Sequence, residues 1–161
     1  MVSDTLQSFI RGADSAQTFE IGGGRLTFLV NSEDTHGAYA AILYEVPPQF
    51  PGPVAHVHHK MTEVFFVTEG ELTIHLREGK KVLGAGEVAF VAPGTAHKFS
   101  NPTDKSTKVL VMMNPGGMEN YFRELVAYIK TIDEWPPKDP TELNNIMSKY
   151  DQEVVFDMPF A

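Results

Sequence analysis

Two histidines one residue apart, His56 and His58, followed five residues later by Glu63, constrain this chain more than any other feature. On an extended strand, residues i and i+2 project to the same side, so both imidazoles face one way. The odd interval to Glu63 would turn its carboxylate to the opposite side of a straight strand. The spacing therefore predicts a break between His59 and Thr62. Beyond it, Glu63, Phe65 and Val67 share the inward face, while Val64 and Phe66 pack outward. A fourth candidate ligand, His97, follows the turn residues Pro93-Gly94-Thr95 and must come from a separate strand brought alongside. Three neutral imidazoles and one carboxylate suit one divalent transition metal per chain (Fe, Mn, Ni, Co, Cu or Zn) rather than Ca or Mg. An octahedral field would retain two positions for water, substrate or dioxygen.

The surrounding chain is written in short strands. Gly37 to Val46 is a run of small and β-branched residues stopped by Pro47 and Pro48, which cannot donate to a ladder. Arg25 to Val30 follows Gly22-Gly23-Gly24, and Val64 to Thr68 ends at Glu69-Gly70-Glu71. Leu72, Ile74 and Leu76 alternate with Thr73, His75 and Arg77, the period of a half-buried strand. Glu78-Gly79-Lys80-Lys81 reads as a hairpin turn. Further strands are expected at Lys81 to Leu83, Glu87 to Val91, His97 to Ser100 and Lys108 to Met113. Strands this short, punctuated by Gly and Pro, predict a sandwich or barrel.

The pattern changes after Asn114-Pro115-Gly116-Gly117. From Met118 to Ile132, the positions Phe122, Leu125, Val126 and Ile129 follow the rule of an amphipathic helix. Asp139-Pro140-Thr141-Glu142 opens a second helix with Leu143, Ile146, Met147 and Tyr150 on one face. A single domain is expected over residues 1–161, with a barrel core over about 20–115 and C-terminal helices over about 118–150.

Composition narrows the partners. With 13 Lys and Arg against 21 Asp and Glu, the formal charge is -8, which disfavours nucleic acid and anionic membrane. No Cys is present, which excludes disulfides, thiolate zinc sites and iron–sulfur clusters. The first ten residues lack a basic region followed by an apolar run, and no apolar stretch reaches the ~18 residues of a membrane span. A cytoplasmic location is expected.

Gly52, His56, His58, Glu63 and Gly70 resemble the first motif of the cupin family, and Gly86, Gly94, His97 and Asn101 resemble the second. The family's opening Gly stands six residues before the first His, where this chain has Phe50; Gly52 is nearer. Its second-motif Pro usually stands two before the Gly, where this chain has Ala92 and places Pro93 next to Gly94. The resemblance spans residues 37–115. It implies an all-β fold, the cupin double-stranded β-helix or jelly-roll barrel, here with a C-terminal helical extension. It also implies metal ligation by His56, His58, Glu63 and His97, and commonly a homodimer.

The segment Met113-Asn-Pro-Gly-Gly-Met-Glu-Asn-Tyr-Phe-Arg-Glu-Leu125 is similar to single-domain relatives of quercetin 2,3-dioxygenase. That similarity implies a metal-dependent dioxygenase acting with O2 on a flavonol or other enolisable aromatic substrate, with Glu63 as both ligand and base. An isomerase, decarboxylase or lyase using the same ion without oxygen is the alternative, as is a non-enzymatic small-molecule binding cupin. The expected apolar lining comprises Phe65, Ile74, Phe90, Phe99 and Met112, with Tyr39 and Tyr44 as polar contacts. Each Phe alone is more simply barrel core. Of the remaining histidines, His59 points off the shared face, His75 is expected at the surface and His36 in a turn.

Overall fold

The computed structural model describes residues 5–157. In chain order the strands are β1 (Gln17–Ile21), β2 (Gly24–Val30), β3 (Ala40–Val46), β4 (His56–Val57), β5 (Thr62–Glu69), β6 (Glu71–Leu76), β7 (Gly79–Gly84), β8 (Val88–Val91), β9 (His97–Ser100) and β10 (Thr107–Asn114). Helices α1 (Met118–Ile129) and α2 (Thr141–Lys149) follow, and the two-residue strand β11 (Glu153–Val154) comes last. Two antiparallel sheets face each other. One has the order β1-β2-β3-β10-β5-β8, the other β11-β4-β9-β6-β7. This is the jelly-roll arrangement with C-terminal helices that the sequence predicts.

The break expected between His59 and Thr62 is a change of sheet. Strand β4 belongs to the five-stranded sheet and β5 to the six-stranded one, with a bend at His59 and Lys60 between them. The β6–β7 hairpin turns on Arg77 and Glu78, and Gly79 already pairs with Leu76. Strand β3 begins at Ala40 rather than Gly37, and α1 ends at Ile129 rather than Ile132. Strands β1 and β11 were not anticipated: the first is a half-buried edge strand, and the second is too short to carry a period.

The core fills the space between the sheets. Phe28, Ile42, Val46, Val67, Leu72 and Val109 are fully buried there, and Met118, Tyr121, Leu125, Ile146 and Met147 from the helices join the same cluster. Phe122 extends this packing, with its ring centroid 6.0 Å from Phe28 and 6.2 Å from Phe19. The helices thus bury apolar surface on the barrel instead of forming a core of their own. Among the described residues, no helix is long and apolar enough to cross a membrane.

Gly52 and Asn101 tie together the segments around the predicted metal site. Gly52 has φ +88° and lies so close to β9 that a Cβ there would sit 1.7 Å from the Phe99 carbonyl oxygen. That approach requires glycine. Asn101, fully buried, donates Nδ2 to the carbonyls of Pro47 at 2.9 Å and Lys105 at 2.7 Å. Its Oδ1 accepts from the Thr103 N–H at 3.1 Å and hydroxyl at 2.8 Å. Removing this buried amide deletes four hydrogen bonds at one site and leaves a void where it stood. Asn101→Ala should lower unfolding free energy by about 2–4 kcal/mol, read from the urea midpoint at constant m. A loss under about 0.5 kcal/mol, the range of ordinary surface changes, would contradict that role.

Candidate metal centre

The change of sheet brings the predicted ligands together. His56 on β4 pairs directly with His97 at the start of β9, so two imidazoles stand side by side on the five-stranded sheet. Their ring centroids lie 4.5 Å apart. His58 follows two residues on, its ring 5.0 Å from that of His56. Glu63 projects toward them from β5 on the opposing sheet. One donor atom from each of the four residues lies within 4.8 Å of the others, and all four side chains are buried.

Backbone carbonyls orient the imidazoles. Nδ1 of His56 lies 2.9 Å from the Val54 carbonyl oxygen, Nδ1 of His58 2.8 Å from that of Asp151, and Nδ1 of His97 3.0 Å from that of Thr95. A carbonyl only accepts, so each Nδ1 carries the hydrogen and donates it. The Nε2 positions are left for the interior. Glu63 Oε2 lies 2.7 Å from His97 Nε2 and 3.4 Å from His58 Nε2. A nitrogen lone pair facing a carboxylate this closely requires positive charge between them, either a proton or a metal ion.

The electrostatics follow from that arrangement. Burial pushes His56 down to about 4, and the neighbouring His97 and His58 act in the same direction. Its imidazole is neutral near pH 7, the form that ligates metal. Burial also opposes charge on His58, but contact with Glu63 outweighs it and raises its pKa. For Glu63, burial alone would raise the pKa. Hydrogen bonds from His58 and His97 outweigh that, and the carboxyl is held below the usual carboxylate range.

The donor set fits an ion. Ligand bonds of about 2.1 Å place cis donors about 3 Å apart and trans donors about 4 Å apart, the scale of this cluster. With Nδ1 satisfied, three imidazoles offer Nε2 to a single point and Glu63 supplies one anionic oxygen. The cluster is compatible with a single metal ion.

The expected lining divides. Phe65 is buried beside the cluster, its ring 6.3 Å from that of His97. Phe99 packs on Phe65 at 5.6 Å and on Tyr44 at 5.7 Å, and Phe50 joins them. Ile74 is buried opposite Phe99. Two residues expected inside are corrected: Phe90 is 68% exposed and Met112 41% exposed. The register gives the reason. Glu63 pairs with Val91 and Met113, so those two side chains turn inward with it, while Phe90 and Met112 pair with outward-facing Val64. Tyr39 is also exposed and makes backbone hydrogen bonds with the Thr35 hydroxyl.

His59 lies at the surface and pairs with Glu153 at 2.8 Å. His36 occupies a left-handed turn position with φ 51°. His75, expected at the surface, is half-buried, with Nε2 2.8 Å from the Ser100 hydroxyl. The residue missed by sequence reasoning is Asp151. Its carboxylate accepts from the N–H groups of His59, Lys60 and Met61 at 3.2, 2.8 and 2.9 Å. No local pattern announces a contact made across some ninety residues.

Residues 42–113 match the family model described as "Cupin domain", a span that contains all four clustered side chains. The fold is that of a cupin. The chain is 36% identical over 86 residues to a "Probable oxidoreductase virH" of Hypocrea virens, covering 48% of this chain and 39% of that relative. This chain therefore spans about two fifths of the relative's length. Solved cupin-like structures share the fold at low identity. A sugar phosphate isomerase from Silicibacter pomeroyi aligns with TM-score 0.55 and 23% identity over 63% of this chain and 72% of that one. The polyketide cyclase RemF from Streptomyces resistomycificus gives TM-score 0.59 and 19% identity over 67% and 80%. A "predicted oxalate decarboxylase" from Thermotoga maritima gives 0.60 and 19% over 66% and 99%.

Purified protein should carry close to one transition-metal ion per chain, and His97→Ala should lose most of it. Elemental analysis of the two proteins side by side decides this; full occupancy in the variant would break the four-ligand set.

Proposed function

We propose that this chain is a metal-dependent cupin dioxygenase, similar in chemistry to quercetin 2,3-dioxygenase, that acts on a flavonol or other enolisable aromatic compound with O2. The observation that carries the reading is the buried cluster itself: three imidazoles aimed by backbone carbonyls at one carboxylate. A divalent ion with one carboxylate ligand has one positive charge in excess. Such a centre favours a singly charged oxyanion, the form taken by a deprotonated enol. Phe65 stands beside the cluster and packs on Phe99, which packs in turn on Tyr44 and Phe50, so the interior next to the donors is apolar and aromatic, a setting that suits an aromatic substrate. The name of the Hypocrea virens relative agrees with redox chemistry.

His56, His58, Glu63 and His97 would hold the metal, which when bound would supply Lewis-acid and redox chemistry. Glu63 would do the proton work. Held by its partners it is ionised; released from them, it is a buried carboxylate whose desolvation raises its affinity for a proton. A substrate hydroxyl brought within hydrogen-bond reach could surrender its proton to Glu63 Oε2. Phe65 would shield the reacting oxygens from bulk water.

An oxygen electrode tests this. Flavonols and other enolisable compounds should include one that drives stoichiometric O2 uptake by the metal-loaded protein. Glu63→Gln should slow that turnover by at least ~100-fold, the usual scale for a lost acid–base group. The variant's melting temperature should fall far less than its rate. Turnover of the same compound without oxygen would replace the dioxygenase by an isomerase, decarboxylase or lyase, and parallel loss of rate and stability would make Glu63 structural.

A further inference from the structure

The three imidazoles are oriented in two different ways. His56 and His97 donate to carbonyls two residues before them, Val54 and Thr95, so each is fixed by its own strand entry. His58 donates instead to the carbonyl of Asp151, 93 residues along the chain. Asp151 also closes the bend that carries the chain from one sheet to the other. Its two carboxylate oxygens take the three N–H groups of His59, Lys60 and Met61, which have left one ladder and not yet joined the next. One residue thus contacts the ligand before the bend and the peptide groups leading to Glu63 after it.

The geometry around Asp151 is specific to that task. Its φ of 59° is left-handed, a conformation costing an ordinary L-residue roughly 1–2 kcal/mol. Asp tolerates it better than most. This conformation lets the main-chain carbonyl reach His58 while the side chain reaches the bend. The flanking chain is anchored on both sides. Gln152 N–H donates to the Met147 carbonyl at 3.1 Å, closing the end of α2. Beyond it, Glu153 and Val154 pair with Val57 and His56, and Val155 N–H donates to the Ala55 carbonyl at 2.9 Å. Helix α2 therefore leads into β11, which pairs with β4, the strand that bears His56 and runs into His58.

We propose that Asp151 is a positioning residue of the metal centre and that docking of the C-terminal segment 150–155 is coupled to metal binding through His58. The inference rests on the metal reading given above. By linkage, a segment that pre-orients a ligand binds more firmly once the ion is present, to the same degree that it strengthens the ion's binding. Partners that orient metal-bound histidines typically contribute 10–100-fold in metal affinity.

Co(II) is the probe, measured on the full chain by competition with a chromophoric chelator and by its visible absorption. Asp151→Ala should weaken Co(II) binding by ~10–100-fold and shift the absorption bands, because without the carboxylate the bend at His59–Met61 no longer fixes the backbone that presents the residue-151 carbonyl to His58. Asp151→Asn, which keeps an acceptor oxygen and tolerates the same backbone conformation, should recover part of the affinity. Hydrogen exchange at residues 59–61 and 150–155 of the unaltered protein should slow on adding Co(II). That measurement needs no variant, so it decides the matter even if Asp151→Ala fails to fold. Unchanged affinity and spectrum in a folded Asp151→Ala, or exchange at 150–155 indifferent to Co(II), overturns the coupling while leaving the metal centre intact. Absence of Co(II) binding by the unaltered protein, or equal binding by His97→Ala, overturns the metal reading and this inference with it.

Discussion

A carboxylate sealed between two β-sheets has to be met by positive charge, and much of this structure serves that requirement. Burying Glu63 without partners would cost several kcal/mol. Two imidazole nitrogens meet it instead, from the opposite sheet. Their geometry depends on strands β4 and β9 lying next to each other in register, which Gly52 permits by its close approach to Phe99. It also depends on the chain leaving β4 and entering β5 within a few residues, because Glu63 must face the histidines from across the core. The fold and the site therefore share one constraint.

That constraint was legible because it is local. His56 and His58 share a face by strand parity, and the odd interval to Glu63 can be reconciled with a common site only by a break, which the structure places at His59 and Lys60. The alternation on β6 marked it as a strand, but both of its faces are covered: Thr73 is buried together with Leu72 and Ile74, and His75 is as covered as Leu76. Side-chain direction was not legible on β8 and β10. Val88 to Val91 and Val109 to Met113 are apolar at every position, so nothing in either run distinguishes its faces. Pairing with β5 breaks the tie, turning Val91 and Met113 inward and leaving Phe90 and Met112 outside. Sequence reasoning assigned bulky Phe90 to the interior, and register assigned the smaller Val91.

The C-terminal region shows a different kind of illegibility. Its helices were visible from their apolar spacing, but their part in the site was not. Strand β11 has two residues, and Asp151 acts through one carbonyl and one carboxylate on a segment far away in sequence. An isolated aspartate after a helix ordinarily reads as a solvated turn. Only the three converging N–H groups distinguish it from one.

The two kinds of support around the donor cluster are different in kind. The imidazoles are held by main-chain carbonyls, whose positions depend little on which side chains surround them. On the other side, Tyr44, Phe50, Phe65 and Phe99 form a wall of rings set edge-on and tilted to one another. None of the four belongs to the clustered donor set. Exchanging Phe50 or Tyr44 for a smaller apolar residue alters the packing of the interior without touching the carbonyls that orient the imidazoles. The groups that hold the charge and those that form the ring cluster are thus largely separately supported. On this chain Phe65 lies closest to breaking that separation: its ring packs on Phe99 and also stands beside His97, so a change there would reach both.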